Sequence, residues 1–218
     1  MQTETHIGVA MPHAACPVAP TRPLVSLHQP SDAAIQAFLD LQRSQPFLYH
    51  GVGSSRHIPP TGYVVDHRRV CLGTGQRTFE AACAALQCWQ MFQVGWVQLC
   101  WPTVSIEPGT VVGILASWGG LWFLNACRIV YVLDETSPVR RVGFAYGTLP
   151  GHAERGEERF SIEWHSDDTV WYDLSAFSRP GHWLLWLGYP CVRRLQRRFA
   201  LASLAAMVRA VGVQSGCP

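Results

Sequence analysis

The chain contains no lysine; all seventeen of its basic residues are arginine. GC-rich coding explains that more simply than a demand for bidentate anion binding. Charge of either sign is scarce, at 15% of residues, and a net charge of +2 makes no case for a nucleic-acid partner. Eight cysteines occur, but none forms Cys-x-x-Cys and no pair has zinc-finger spacing, which argues against a structural metal. Cys83, Cys88 and Cys127 sit in apolar settings, so eight free thiols in a reducing, cytoplasmic compartment are expected. The first twenty residues lack the basic start and continuous apolar core of a secretory signal. Residues 110–127 carry no charge and approach the length of a membrane span, but Gly119-Gly120 divides them, and a buried β-hairpin is expected instead. No Gly-x-Ser-x-Gly, P-loop, dinucleotide or zinc-protease motif is present, and no cofactor is expected.

What is present is oily, with 48% of residues hydrophobic. Five of the fifteen prolines fall within residues 1–30, which read as an extended leader; a short helix over 32–44, capped by Ser31, follows. The expected organisation is a leader with its helix at 1–46, one domain at 47–211 and a tail at 212–218. Strands are expected at 63–72, 96–101, 110–117, 121–134, 140–146, 157–165 and 169–177. The sixth shows the clearest alternation, with Phe160, Ile162 and Trp164 on one face. A second helix over 78–92 carries Phe79, Ala82, Cys83, Leu86 and Trp89 at helical spacing. A last helix runs from Pro190 to about 211 with the stripe Val192, Leu195, Phe199, Ala202 and Ala206, and with Arg193, Arg194, Arg197 and Arg198 on a solvated face. The fold class is therefore α+β: a curved antiparallel sheet of about seven strands gripped by a long C-terminal helix. That order resembles the helix-grip arrangement of START and Bet v 1-like domains.

The run Gly143-Phe144-Ala145-Tyr146-Gly147-Thr148-Leu149-Pro150-Gly151-His152-Ala153-Glu154-Arg155-Gly156-Glu157-Glu158 resembles the signature of uncharacterised protein family 0548. Thr169-Val170-Trp171, Phe177-Ser178-Arg179-Pro180 and Arg193-Arg194-Leu195-Gln196 fit it too. So do Tyr49, Val52-Gly53, Arg56 and Gly62-Tyr63, with Ser55 where the family pattern has threonine. The resemblance spans residues 47–205 and implies no particular activity.

In an antiparallel meander alternate connections share one end of the sheet. The Gly119-Gly120 turn, the loop over 147–156, the Ser178-Arg179-Pro180 exit and the 49–60 loop should therefore ring one cavity mouth. Expected catalytic candidates are His152, Glu154, Glu157 and Tyr146, with His152 and a carboxylate as an acid–base pair. Expected ligand-binding residues are Arg56, Arg179, Tyr49 and Trp171. The alternative is a loop stapled by Glu–Arg pairs such as Glu154 or Glu157 with Arg179. The His-x-Glu-x-x-Glu spacing is weak support for a metal, and none is assigned. Three functions remain: binding of an apolar small molecule; a cyclase, isomerase or dehydratase; and a peripheral membrane or interaction protein using Trp183, Trp186 and the arginine cluster.

Overall fold

The computed structural model describes residues 24–181 and 189–212. Trp183 and Trp186 lie outside these residues, as does most of the leader. The described chain runs β1 (Leu24–Ser26), α1 (Asp32–Gln42), β2 (Val64–Thr74), α2 (Gly75–Gln87), β3 (Val97–Leu99), β4 (Val111–Trp118), β5 (Leu121–Glu135), β6 (Arg140–Thr148), β7 (Glu154–Trp164), β8 (Thr169–Pro180) and α3 (Tyr189–Val211). Strands pair in the order β2-β8-β7-β6-β5-β4-β3, all antiparallel, and β1 adds to β5. The curved sheet gripped by a C-terminal helix is the helix-grip architecture expected of the pattern. No described helix is long and apolar enough to cross a membrane.

Each element has a local cause. Ser31 accepts the main-chain N–H of Ala34 and starts α1. Gly119 and Gly120 both take positive φ, 59° and 77°, the two left-handed positions that a tight hairpin between β4 and β5 requires. The helix expected over 78–92 ends earlier than its apolar spacing suggests. Trp89 adopts φ 55° and the chain tightens into a 3-10 turn at Gln90–Phe92, which lets Trp89 and Phe92 both pack into the core.

Both faces of the sheet are covered. On the concave face α2, α3 and the 3-10 turn bury Phe144, Phe160, Ile162, Tyr172 and Leu174 in the main core. On the convex face α1 packs Ile35, Phe38 and Leu39 onto Leu115, Leu124 and Ala126. Arg128 holds the end of that helix by donating to the carbonyls of Gln42 (2.9 Å) and Arg43 (2.8 Å), where the helix dipole favours a cation. Each large apolar side chain so buried contributes about 1.5–3 kcal/mol.

Three expectations change. The buried positions of α3 are Ala200, Ser203, Ala206 and Met207, whereas Val192, Leu195 and Phe199 line a cavity instead of filling it. Of the arginines expected on a solvated face of α3, Arg194, Arg197 and Arg198 are exposed, with Arg198 4.9 Å from the Trp96 ring centre, while Arg193 is drawn in to pair with Asp66. Cys71 is disulfide-bonded, against the expectation of eight free thiols, while Cys83, Cys88, Cys100, Cys127 and Cys191 are free.

Candidate functional site

Strand parity divides the expected site residues between two faces. Along β7, Glu154, Gly156, Glu158 and Phe160 face α3, and Arg155, Glu157 and Arg159 face away. Between the concave face and the N-terminal half of α3 lies a cavity of about 250 Å³. Its floor crosses four strands, because the register aligns Asp66, Ala176, Glu158 and Tyr146 in one row. Gly156, Ala176 and Ser178 are small, so space opens above them where larger side chains would meet the helix. Phe92, Trp96, Ile114, Val192, Leu195 and Phe199 give the cavity apolar walls.

Tyr146, His152 and Glu154 therefore meet in the cavity as expected of one sheet end. The Tyr146 hydroxyl donates to Glu158 at 2.5 Å. Burial pushes the Glu158 carboxyl up to about 7, with the charges of Glu154 and Asp66 adding to the effect. Burial likewise raises Glu154 to about 7, against the lowering effect of its hydrogen bond from Gln196. Desolvation lowers His152 to about 4. The main-chain N–H of Glu154 donates to His152 Nδ1 at 3.0 Å, so the neutral ring carries its proton on Nε2. With its acceptor nitrogen engaged, His152 is placed as a donor and not as the base of an acid–base pair.

Gln196 also donates to Ser178 Oγ at 3.0 Å and accepts from Arg193 at 2.6 Å. Arg193 in turn donates to both oxygens of Asp66. These bonds tether the start of α3 over the cavity.

The remaining candidates lie on the convex face. Glu157 is 2% exposed, and its carboxylate accepts the Tyr49 hydroxyl (2.7 Å), the Gly53 N–H (2.7 Å), the Ser55 N–H (3.0 Å) and the Ser55 hydroxyl. Arg56 sits 4.5 Å from the Tyr131 ring centre and donates to the Val132 carbonyl. Arg179 stacks on Tyr63, and Trp171 lies under Arg69 at 3.9 Å. Glu157 is thus a staple for residues 49–56, held by hydroxyl and main-chain donors where an arginine was expected. Because Glu157 and Glu154 point to opposite faces, the His-x-Glu-x-x-Glu spacing does not converge; among the described residues no group of three or more potential ligands is placed to hold a metal. Asp173 pairs with Arg159 (3.0 Å) and His67.

Comparison with known proteins bears on these residues directly. A family profile described as a domain of unknown function, DUF1990, matches residues 48–206. A UPF0548 protein of Dictyostelium discoideum is 35% identical over 203 residues, covering 84% of this chain and 94% of the relative. One from Deinococcus radiodurans is 37% identical over 199 residues, covering 85% and 98%. The chain belongs to the UPF0548 family. The UPF0548 protein of Arabidopsis thaliana is also similar, at 35% over 175 residues, covering 75% of this chain and 84% of that one. Among solved structures, that of Ara h 8.0201 aligns over 69% of this chain and 98% of its own with a TM-score of 0.45 and 12% identity. A hypothetical protein from Helicobacter pylori aligns over 68% and 86% with a TM-score of 0.43 and 10% identity. Neither structural likeness is close enough to carry an argument.

The residues that resemble the UPF0548 signature serve both faces. Tyr49, Gly53, Gly147 and Glu157 build the convex staple, while Tyr146, His152, Glu154, Glu158 and Gln196 border the cavity. Residue type alone does not single out Glu158, yet it belongs to the quoted run and shares the parity of Phe160.

Proposed function

We propose that this UPF0548 protein binds a small, largely apolar molecule in the cavity between its sheet and α3. The observation that carries this is a cavity of about 250 Å³ with apolar walls and convergent polar groups on its floor. Ligand pockets are usually apolar concavities of roughly 300–1,000 Å³ with a few placed polar groups, and this one is at the small end. Naphthalene is a suitable probe. One equivalent should bind, and Ala176→Phe, which fills the floor, should abolish binding while the protein still melts cooperatively. Unchanged naphthalene binding by that variant overturns the reading. Native mass spectrometry of the purified protein complements it by detecting a retained molecule.

A second reading is supported by one specific observation. Glu158 titrates near 7 and is hydrogen-bonded to Tyr146, which suits a general acid or base better than His152. An isomerase, cyclase or dehydratase built on this pair would change the mass or retention time of the native ligand on incubation, and Glu158→Gln would stop that change. No described feature favours the membrane or interaction reading, whose tryptophans lie outside the described residues.

A further inference from the structure

We infer that the molecule taken by the cavity carries a protonated amine, and that Glu158 is its anchor. This deepens the binding reading above and rests on it. The floor and mouth of the cavity differ in sign. Glu158 and Glu154 are partly buried and border the cavity, whereas Arg68 and Arg197, which also border it, are exposed and reach solvent. The other basic group near the floor, Arg193, is committed to Asp66. One oxygen of Glu158 accepts from Tyr146, and the other has no hydrogen-bond partner among the described residues.

Tyr146 and His152, which also line the cavity, do not serve an anion. The Tyr146 hydroxyl is spent on Glu158, and burial together with that glutamate raises its pKa well above the ordinary range. His152 is neutral, so it adds no positive charge. A carboxylate ligand would meet two glutamates with one neutral ring N–H to receive it. An ammonium group would meet a carboxylate already held in place by Tyr146, with its ring system against Phe92, Trp96 and Phe199. The free oxygen of Glu158 accepts the N–H, and a charge-assisted bond of this kind outweighs the neutral one an alcohol would make.

The test compares ligands of one shape: naphthylmethylamine, naphthalenemethanol and naphthoate, by calorimetric titration at pH 8. The amine should bind at least about tenfold tighter than the alcohol, the difference expected of a charged over a neutral hydrogen bond. Naphthoate should bind most weakly. Lowering the pH to 6 should weaken the amine, because protons then compete for carboxyls that titrate near 7. Glu158→Gln should collapse the amine-to-alcohol ratio, while Arg179→Ala, on the other face, should preserve it. Should Glu158→Gln fail to fold, the wild-type ratio and its pH dependence decide alone. Equal or tighter binding of the alcohol or acid overturns the inference and leaves the cavity reading intact, as does failure of the amine to bind where naphthalene binds. Failure of naphthalene and all three derivatives overturns both.

Discussion

Glu157 and Glu158 are consecutive residues of β7, and the two faces of the sheet treat them in opposite ways. On the convex side Glu157 receives two hydroxyls and two main-chain N–H groups, so its charge is met on every side by segments that fold onto it. On the concave side Glu158 receives one hydroxyl and otherwise faces a cavity. The first environment spends a carboxylate on architecture, since breaking such a set leaves several buried donors without partners. The second keeps a carboxylate partly uncommitted, which costs stability and leaves it available to a guest. A satisfied polar group marks a structural joint, and an unsatisfied one beside a cavity marks the place to look for chemistry.

The contrast is open to direct attack. The largest effect belongs to Glu157→Ala, which should cost about 3–5 kcal/mol by stranding the donors of residues 49–56. Chemical denaturation checks it, and a loss below about 1 kcal/mol would erase the distinction between the faces.

Next is a pH effect with opposite signs for two cavity residues. Glu158 is raised from 4.5 to about 7 in the folded protein. Its contribution is full below about pH 4.5 and declines as pH rises through 7, so Glu158→Gln should gain stability relative to the parent over that window. The gain is on the order of 1–3 kcal/mol, allowing for water in the cavity. His152 is lowered from 6.5 to about 4, so its contribution is full above pH 6.5 and is lost as pH falls through 4. His152→Gln should therefore gain on the parent in the acid direction. Melting temperatures of the three proteins between pH 4 and pH 8 would show crossing differences. Parallel curves would mean that neither group is desolvated.

The smallest effect is that of Arg179→Ala. Loss of its stacking on Tyr63 should cost about 0.5–1 kcal/mol with naphthalene affinity unchanged. Reduced affinity would return Arg179 to the cavity, where sequence order had placed it.

That misplacement shows what periodicity conveys. Strand positions, the Gly119-Gly120 turn and the meander were legible because each depends on neighbours in sequence. The gathering of loops at one sheet end followed from the same logic, and Tyr146, His152 and Glu154 do meet there. The faces were not resolved, because residues 154–159 are charged on both sides and give no hydrophobic alternation. Carrying the parity of Phe160 and Ile162 back two more residues selects Glu158 over Glu157, so the signal existed. No comparable signal announced that residues 49–56 would cover the convex face. That depends on Tyr49 reaching Glu157, 108 positions away, and long-range contacts leave no local period.

Gly147 explains how Tyr49 gets there. A Cβ at this position would stand 2.1 Å from the Tyr49 hydroxyl and 2.7 Å from its ring, inside the space the phenol occupies. Positions 49 and 147 therefore behave as one site written in two places. A side chain at 147 is harmful while the tyrosine is present and tolerable once it is gone, so the two substitutions are strongly non-additive. Order then matters to a lineage. Tyrosine must leave before anything larger than glycine can arrive, and after that arrival the tyrosine cannot return until the newcomer departs. A single missing methyl group thus fixes the order in which this corner of the chain can change, forwards and backwards alike.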